Sequence, residues 1–274
     1  MTLRLFRKDG MLFSMAMQIG ICGERYQVSA IKIVRGRSDR NSFFVESNYG
    51  LLLFDTGAGT SQLPESDLTK SLVKCQTKEG HGVLGSKTQD SVVVGELCVG
   101  EIKANHLQVT LDDSVGILGN DVLKHYAFTL DTQKDEIELI EPFTSGIKCT
   151  VGQRGHLYVE IEIGQKPCMA LIDTGASCSL MDESFCKEMF GRVTAAKTET
   201  GEDWTGATFE TPMITMDALS IGTVRFPPHE FALLDFGQIF PFMEYPIAAI
   251  IGATTLSCKK FSFNPIDGYI KIED

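Results

Sequence analysis

The sequence predicts an all-β protein with short helices, folded as two tandem lobes. Three observations carry that prediction. Strand-forming residues alternate with polar ones over long stretches, as in "DSVVVGELCVGEIKANHLQVTL" (90–111) and "TPMITMDALSIGTVRF" (211–226). The second half of the chain repeats the first. One short segment, Asp-Thr-Gly-Ala, closes an apolar run at 55–58 and again at 173–176.

The elements follow in chain order. Residues 1–40 have no counterpart in the second half. Arg4, Arg7 and Lys8 precede "MLFSMAMQIGIC" (11–22), which loosely resembles a signal peptide. Gln18 interrupts its apolar run and an Ala-x-Ala cleavage site is absent, so a β-strand is the better reading. "FFVESNYGLLLFDTGAG" (43–59) predicts a hairpin: an alternating strand, a turn with glycine, and an apolar strand running into Asp55. "PESDLTKSLV" (64–73) predicts a short helix, and "KEGHGVLGSKT" (78–88) a hairpin with a glycine-rich tip. An apolar pair plus glycine (117–119), a short helix and a last hairpin (129–140) end the unit. "EPFTSGIKCTVGQRG" (141–155) is the link, which puts the lobes at 1–145 and 146–274.

The second unit repeats this order. "YVEIEIGQKPCMALIDTGAS" (158–177) is its hairpin, "DESFCKEMF" (182–190) its helix, and "TGEDWTGATFE" (200–210), with the only tryptophan, its tip hairpin. "ILGNDVLKHYAF" (117–128) aligns with "IIGATTLSCKKF" (250–261). The alignment continues without a gap through "TLDTQKDEIELI" and "SFNPIDGYIKIE". The spacing between counterparts is longer here than between the two aspartates, so the second unit carries an insertion. Its place is the aromatic stretch "FGQIFPFMEYPIAA" (236–249), either a pocket lining or part of the core.

Composition excludes some classes of function. The chain has 274 residues, 43% of them apolar, a net charge of −11 and a pI near 5.0. Such acidity argues against nucleic acid as a partner. The one basic cluster, Lys32, Arg35, Arg37 and Arg40, reads as a solvated loop. Eight cysteines form no C-x-x-C pair, and no glycosylation sequon is present. Reduced thiols in the cytoplasm, with no metal site and no cofactor, are expected. No apolar stretch reaches the length of a membrane span.

An aspartate at the end of an apolar strand is costly to hold. Two of them at equivalent places in a duplicated chain suggest one shared site. Here the sequence resembles the aspartic peptidases, and within them the retropepsin-like branch, over about residues 40–274. The marks are Asp-Thr-Gly-Ala at 55–58 and 173–176 and the apolar-apolar-Gly segments at 117–119 and 250–252. The resemblance implies two acid-protease-type β-barrel lobes about a pseudo-two-fold axis, each giving one aspartate to a central dyad. Asp55 and Asp173 would be catalytic, sharing one proton and activating water for peptide hydrolysis. Thr56 and Thr174 would bond across the axis, and Gly57 and Gly175 would let the loops approach. Gly59 and Ser177 depart from the further acid usual in retroviral members. Ala58 and Ala176 stand where pepsin-like enzymes often have Ser or Thr, so activity at mildly acidic pH is expected.

Such an enzyme needs covers for its cleft. The hairpins at 78–88 and 200–210 are the candidates, with Gly82, Gly85, Trp204 and Gly206 as flap or substrate-binding residues. The expected partner is a polypeptide substrate, and the expected state a monomer with an internal pseudo-dimer. The alternative is a catalytically silent peptide-binding protein of the same fold. His81, His106, His125, His156 and His229 are scattered and read as structural or exposed. Cys178, five residues past Asp173, reads as a spectator thiol.

Overall fold

A computed structural model describes residues 30–36, 41–82, 85–191 and 194–273. The signal-like stretch, Arg37, Arg40 and Cys22 lie outside the described residues. The fold is all-β with two lobes: a 13-stranded sheet and a 10-stranded sheet, with helices of one or two turns.

The same arrangement appears in each half. In the first, Phe43–Ser47 and Gly50–Phe54 form the expected hairpin. The strand Gly50–Phe54 then pairs in parallel with Gly116–Leu118. On its other side, Gly116–Leu118 meets Gln62–Pro64, antiparallel through Gln62. In the second half Lys166–Ile172 pairs in parallel with Ala249–Ile251, which meets Leu180–Asp182 antiparallel. The apolar-apolar-Gly segment is thus a short central strand, wedged beside the strand that carries the aspartate. Leu52, Phe54, Leu118, Ile172, Ala249 and Ile251 are all buried, as a strand with neighbours on both edges requires.

The repeat also explains how the halves join. The terminal hairpins Ala127–Asp131/Glu136–Ile140 and Lys260–Asn264/Tyr269–Glu273 pair with each other, registering Phe128 with Phe263 and Leu130 with Phe261. Each is flanked by a strand that precedes its own unit: Ile31–Arg35 beside Glu136–Ile140, and Ile147–Lys148 beside Tyr269–Glu273. Of the stretch expected to have no counterpart, Ile31–Arg35 therefore does have one. It was hidden because a strand of two residues in the link carries no periodic signal. The 13-stranded sheet also crosses the expected boundary near residue 145, since it takes three strands from the second half. Phe54, Phe128, Phe263 and Phe261 pack ring against ring in succession through this junction, edge-on, tilted and then stacked, with ring centroids 5.0–5.9 Å apart.

Three local expectations shift. The helix at 64–73 shrinks to Asp67–Lys70. Pro64 ends a strand, and Ser66 starts the helix with a reciprocal capping box to Thr69. The helix Glu183–Phe190 forms as expected behind its Asp182 cap. The aromatic insertion is neither all pocket nor all core. Phe236, Ile239 and Ile247 are buried, whereas Phe240, Phe242 and Tyr245 remain more than a third exposed.

Candidate active site

Both Asp-Thr-Gly-Ala segments leave the ends of paired strands and turn sharply. The N–H of Asp55 donates to the Leu118 carbonyl at 3.0 Å, and that of Asp173 to the Ile251 carbonyl at 3.0 Å. The central strand therefore sets the height of each aspartate. Asp55 Oδ1 accepts from Gly57 N at 2.8 Å and Ala58 N at 2.9 Å. Asp173 Oδ1 accepts from Gly175 N at 2.9 Å and Ala176 N at 3.1 Å. The two carboxyls lie close enough to alter each other's proton affinity.

The loops are locked across the lobes by the threonines. Thr56 N donates to Thr174 Oγ1 at 3.0 Å, and Thr174 N donates to Thr56 Oγ1 at 3.1 Å. Each hydroxyl passes its own proton on, Thr56 to the Ile172 carbonyl at 3.0 Å and Thr174 to the Phe54 carbonyl at 2.6 Å. Both threonines are buried, so every polar group must find a partner, and the crossed pattern achieves that for both. Asn120 Nδ2 adds a bond to the Thr56 carbonyl at 2.6 Å.

The glycines are required by contact. A methyl added at Gly57 would lie 2.3 Å from Asp173 Cγ, and one at Gly175 would lie 2.3 Å from Asp55 Cγ. Each carboxyl thus rests on the other loop's glycine. Burial raises the pKa of both aspartates. At Asp55 the neighbouring Asp173 charge adds to this, against the lowering by backbone N–H donors. Both carboxyls therefore keep a proton to higher pH than an isolated carboxyl does.

Both tip hairpins form, from Lys74–His81 with Ser86–Val99 and from Lys197–Glu202 with Thr208–Met216. They meet one another. Trp204 Nε1 donates to the His81 carbonyl at 3.4 Å, and Gly85 N donates to Asp203 Oδ2 at 3.2 Å. A methyl at Gly82 would lie 2.4 Å from Asp203 Oδ2, whereas one at Gly206 would meet open space, its φ of +85° being the reason for glycine there. Phe242 of the insertion stacks on His81 with ring centroids 4.3 Å apart.

A further group escaped the sequence reading. His156 Nε2 donates to the Gly57 carbonyl at 2.9 Å, which fixes the neutral ring with its proton on Nε2. Its Nδ1 is buried with no hydrogen-bond partner among the described residues, and burial lowers its pKa. The preceding turn is held by Glu244, whose Oε2 accepts from Gln153 N at 2.6 Å and Oε1 from Arg154 N at 3.1 Å. No motif announces these residues, since the contact joins link, insertion and first-lobe loop. A signal was present only in their position, just ahead of the hairpin that leads to Asp173.

Comparison with known proteins fits this geometry. No curated protein matches the chain. Residues 159–255 match the profile of the family described as Aspartyl protease, a span holding Asp173, the Trp204 hairpin, the aromatic insertion and Gly252. That match supports a retropepsin-like aspartyl protease domain in the second half of the chain.

Proposed function

We propose that this protein is an aspartic endopeptidase whose catalytic dyad is Asp55 and Asp173, one from each of two fused retropepsin-like units. The observation that carries the reading is the pair of part-buried carboxyls on equivalent, cross-bonded loops, each packed against the other loop's glycine. Such a pair begins the cycle with one proton. The ionised carboxylate takes a proton from water as the water oxygen attacks the peptide carbonyl carbon. The protonated partner gives its proton to the carbonyl oxygen. In the second step the tetrahedral carbon collapses, the amide nitrogen leaves as an amine carrying a proton from the dyad, and a diol proton returns to it. The one-proton state is restored. Thr56 and Thr174 hold the loops, and Gly57 and Gly175 let the carboxyls meet. The hairpins bearing Gly82, Gly85, Trp204 and Gly206 cover a polypeptide bound between the lobes.

The test is cleavage of a mixed peptide library by the wild-type chain and by Asp55→Asn and Asp173→Asn. Either substitution should reduce kcat by at least about 1000-fold, because neither half of the proton exchange then works. Unchanged circular dichroism would show that the fold survives. A wild-type chain that binds peptides but cleaves none between pH 3 and 8 would replace this reading with the silent peptide-binding protein.

A further inference from the structure

The turn 152–156 reaches from the start of the second lobe to the loop after Asp55. Its inner end is His156, bonded to the Gly57 carbonyl at 2.9 Å. Its outer end is Arg154, which is exposed. The arginine stem lies along Gly59, where an added methyl would sit 3.2 Å from Arg154 Cδ and 3.6 Å from its Cβ. Gly59 is two residues past the glycine that supports Asp173. The guanidinium is therefore carried beside the dyad loop, on its solvent side.

The charge on this arginine is only partly offset by the protein, through attraction to Glu244. Arg154 makes no ion pair within 4 Å among the described residues. Glu244, which attracts it, has each of its oxygens occupied by a backbone N–H, from Gln153 and from Arg154 itself. Lys124 packs on the other side of Gly155 and has Asp121 nearby to offset it. Gly59 contributes no side chain on the face of the loop that the arginine stem covers.

We propose that Arg154 is a specificity-determining residue that reads an acidic side chain of the bound polypeptide, a few residues from the bond at the dyad. The planar guanidinium offers paired N–H donors suited to a carboxylate. The backbone clamp by Glu244 fixes where its Cα stands. This inference rests on the peptide cleft proposed above and deepens it.

The experiment measures binding of decapeptides whose central bond is a reduced amide, each carrying Glu or Gln at one position in turn. The wild-type chain should favour Glu over Gln about fivefold at one position, the size of a partly exposed ion pair, and less so in high salt. Arg154→Gln should bring that ratio below about twofold, and Arg154→Glu should make the same position prefer Lys over Gln. Glu244 still meets the backbone N–H groups in Arg154→Gln, so that variant should keep the wild-type Tm. An equal response to Glu and Gln everywhere, or a Glu preference that survives in Arg154→Glu, would overturn the proposal. Cleavage of ordinary peptides without that preference would overturn it and leave the peptidase standing. A preference without cleavage would do the reverse, and absence of any binding would overturn both.

Discussion

At the scale of single residues, the site turns on two carboxyls pressed against two glycines. Gly57 shows how little room remains. Its added methyl would overlap the Asp173 carboxyl at 2.3 Å, a side-chain end that can move away rather than a backbone that cannot. Gly57→Ala should therefore keep the fold and displace the dyad, lowering kcat about 100-fold with little change in Tm. An active Gly57→Ala enzyme would contradict the packing described here. Charge adds a second consequence. Both aspartates have pKa values raised above the ordinary 3.8, so the unfolded chain releases protons that the folded chain retains. Their contribution to stability is present below the unfolded value and is lost as pH rises through the folded one. Asp55→Asn removes one of the two apposed charges and should raise Tm at pH 7 by about 3 °C, with the gain vanishing near pH 3.5. Melting curves at the two pH values decide it. Neither Ala58 nor Ala176 has a side-chain hydroxyl to add to the two backbone donors on each carboxylate. The pH–rate profile should accordingly peak in mildly acidic solution, and a peak near pH 2 would refute that.

At the scale of elements, the short central strand of each lobe ends in a glycine for a backbone reason. A methyl at Gly252 would lie 2.2 Å from the Cys178 carbonyl oxygen, and one at Gly119 would lie 2.7 Å from the Thr60 carbonyl carbon. These neighbours belong to the loops that follow the aspartates, so the strand can tolerate no side chain without moving the site. Gly252→Ala should cost about 3 kcal/mol or more and Gly119→Ala somewhat less, while Gly95→Ala, with nothing within 4 Å, should be neutral. Denaturant midpoints of the three variants would rank them, and equal stabilities would refute the wedge. Much of this was legible in the sequence because duplication doubled each faint signal: Asp-Thr-Gly or Ile-Leu-Gly alone is a common tripeptide. The hairpins at 43–59 and 158–177 announced themselves by alternation and glycine turns. What stayed illegible lacks periodicity. Ile147–Lys148 is too short to show a strand pattern, and the helix expected over 64–73 is shorter because Pro64 and Ser66 mark a boundary inside that stretch. His156, Arg154 and Glu244 meet through loops of three different segments, where only the fold brings chemistry together.

At the scale of the whole molecule, the two lobes are less separable than two linked copies imply. Phe261 and Phe263 are fully buried, and they register with Leu130 and Phe128 from the other half. Thr129 and Ser262 hydrogen-bond across the same seam at 2.8 Å, and Thr56 and Thr174 across the site. A fragment of residues 146–274 would expose both phenylalanines and leave one edge of Lys260–Asn264 without a neighbour. It would also strand the Thr174 hydroxyl, whose acceptor is the Phe54 carbonyl of the first half. By contrast, the intact chain satisfies these groups internally and has no need of a second copy at this seam. Light scattering of the purified chain should therefore give one monomer near 30.1 kDa. The fragment should instead aggregate or self-associate through the uncovered edge, and mixing it with residues 1–145 should restore both solubility and cleavage. A fragment that unfolds cooperatively as a lone monomer would show that the seam contributes little, and the crossed threonines would then have to hold the dyad unaided.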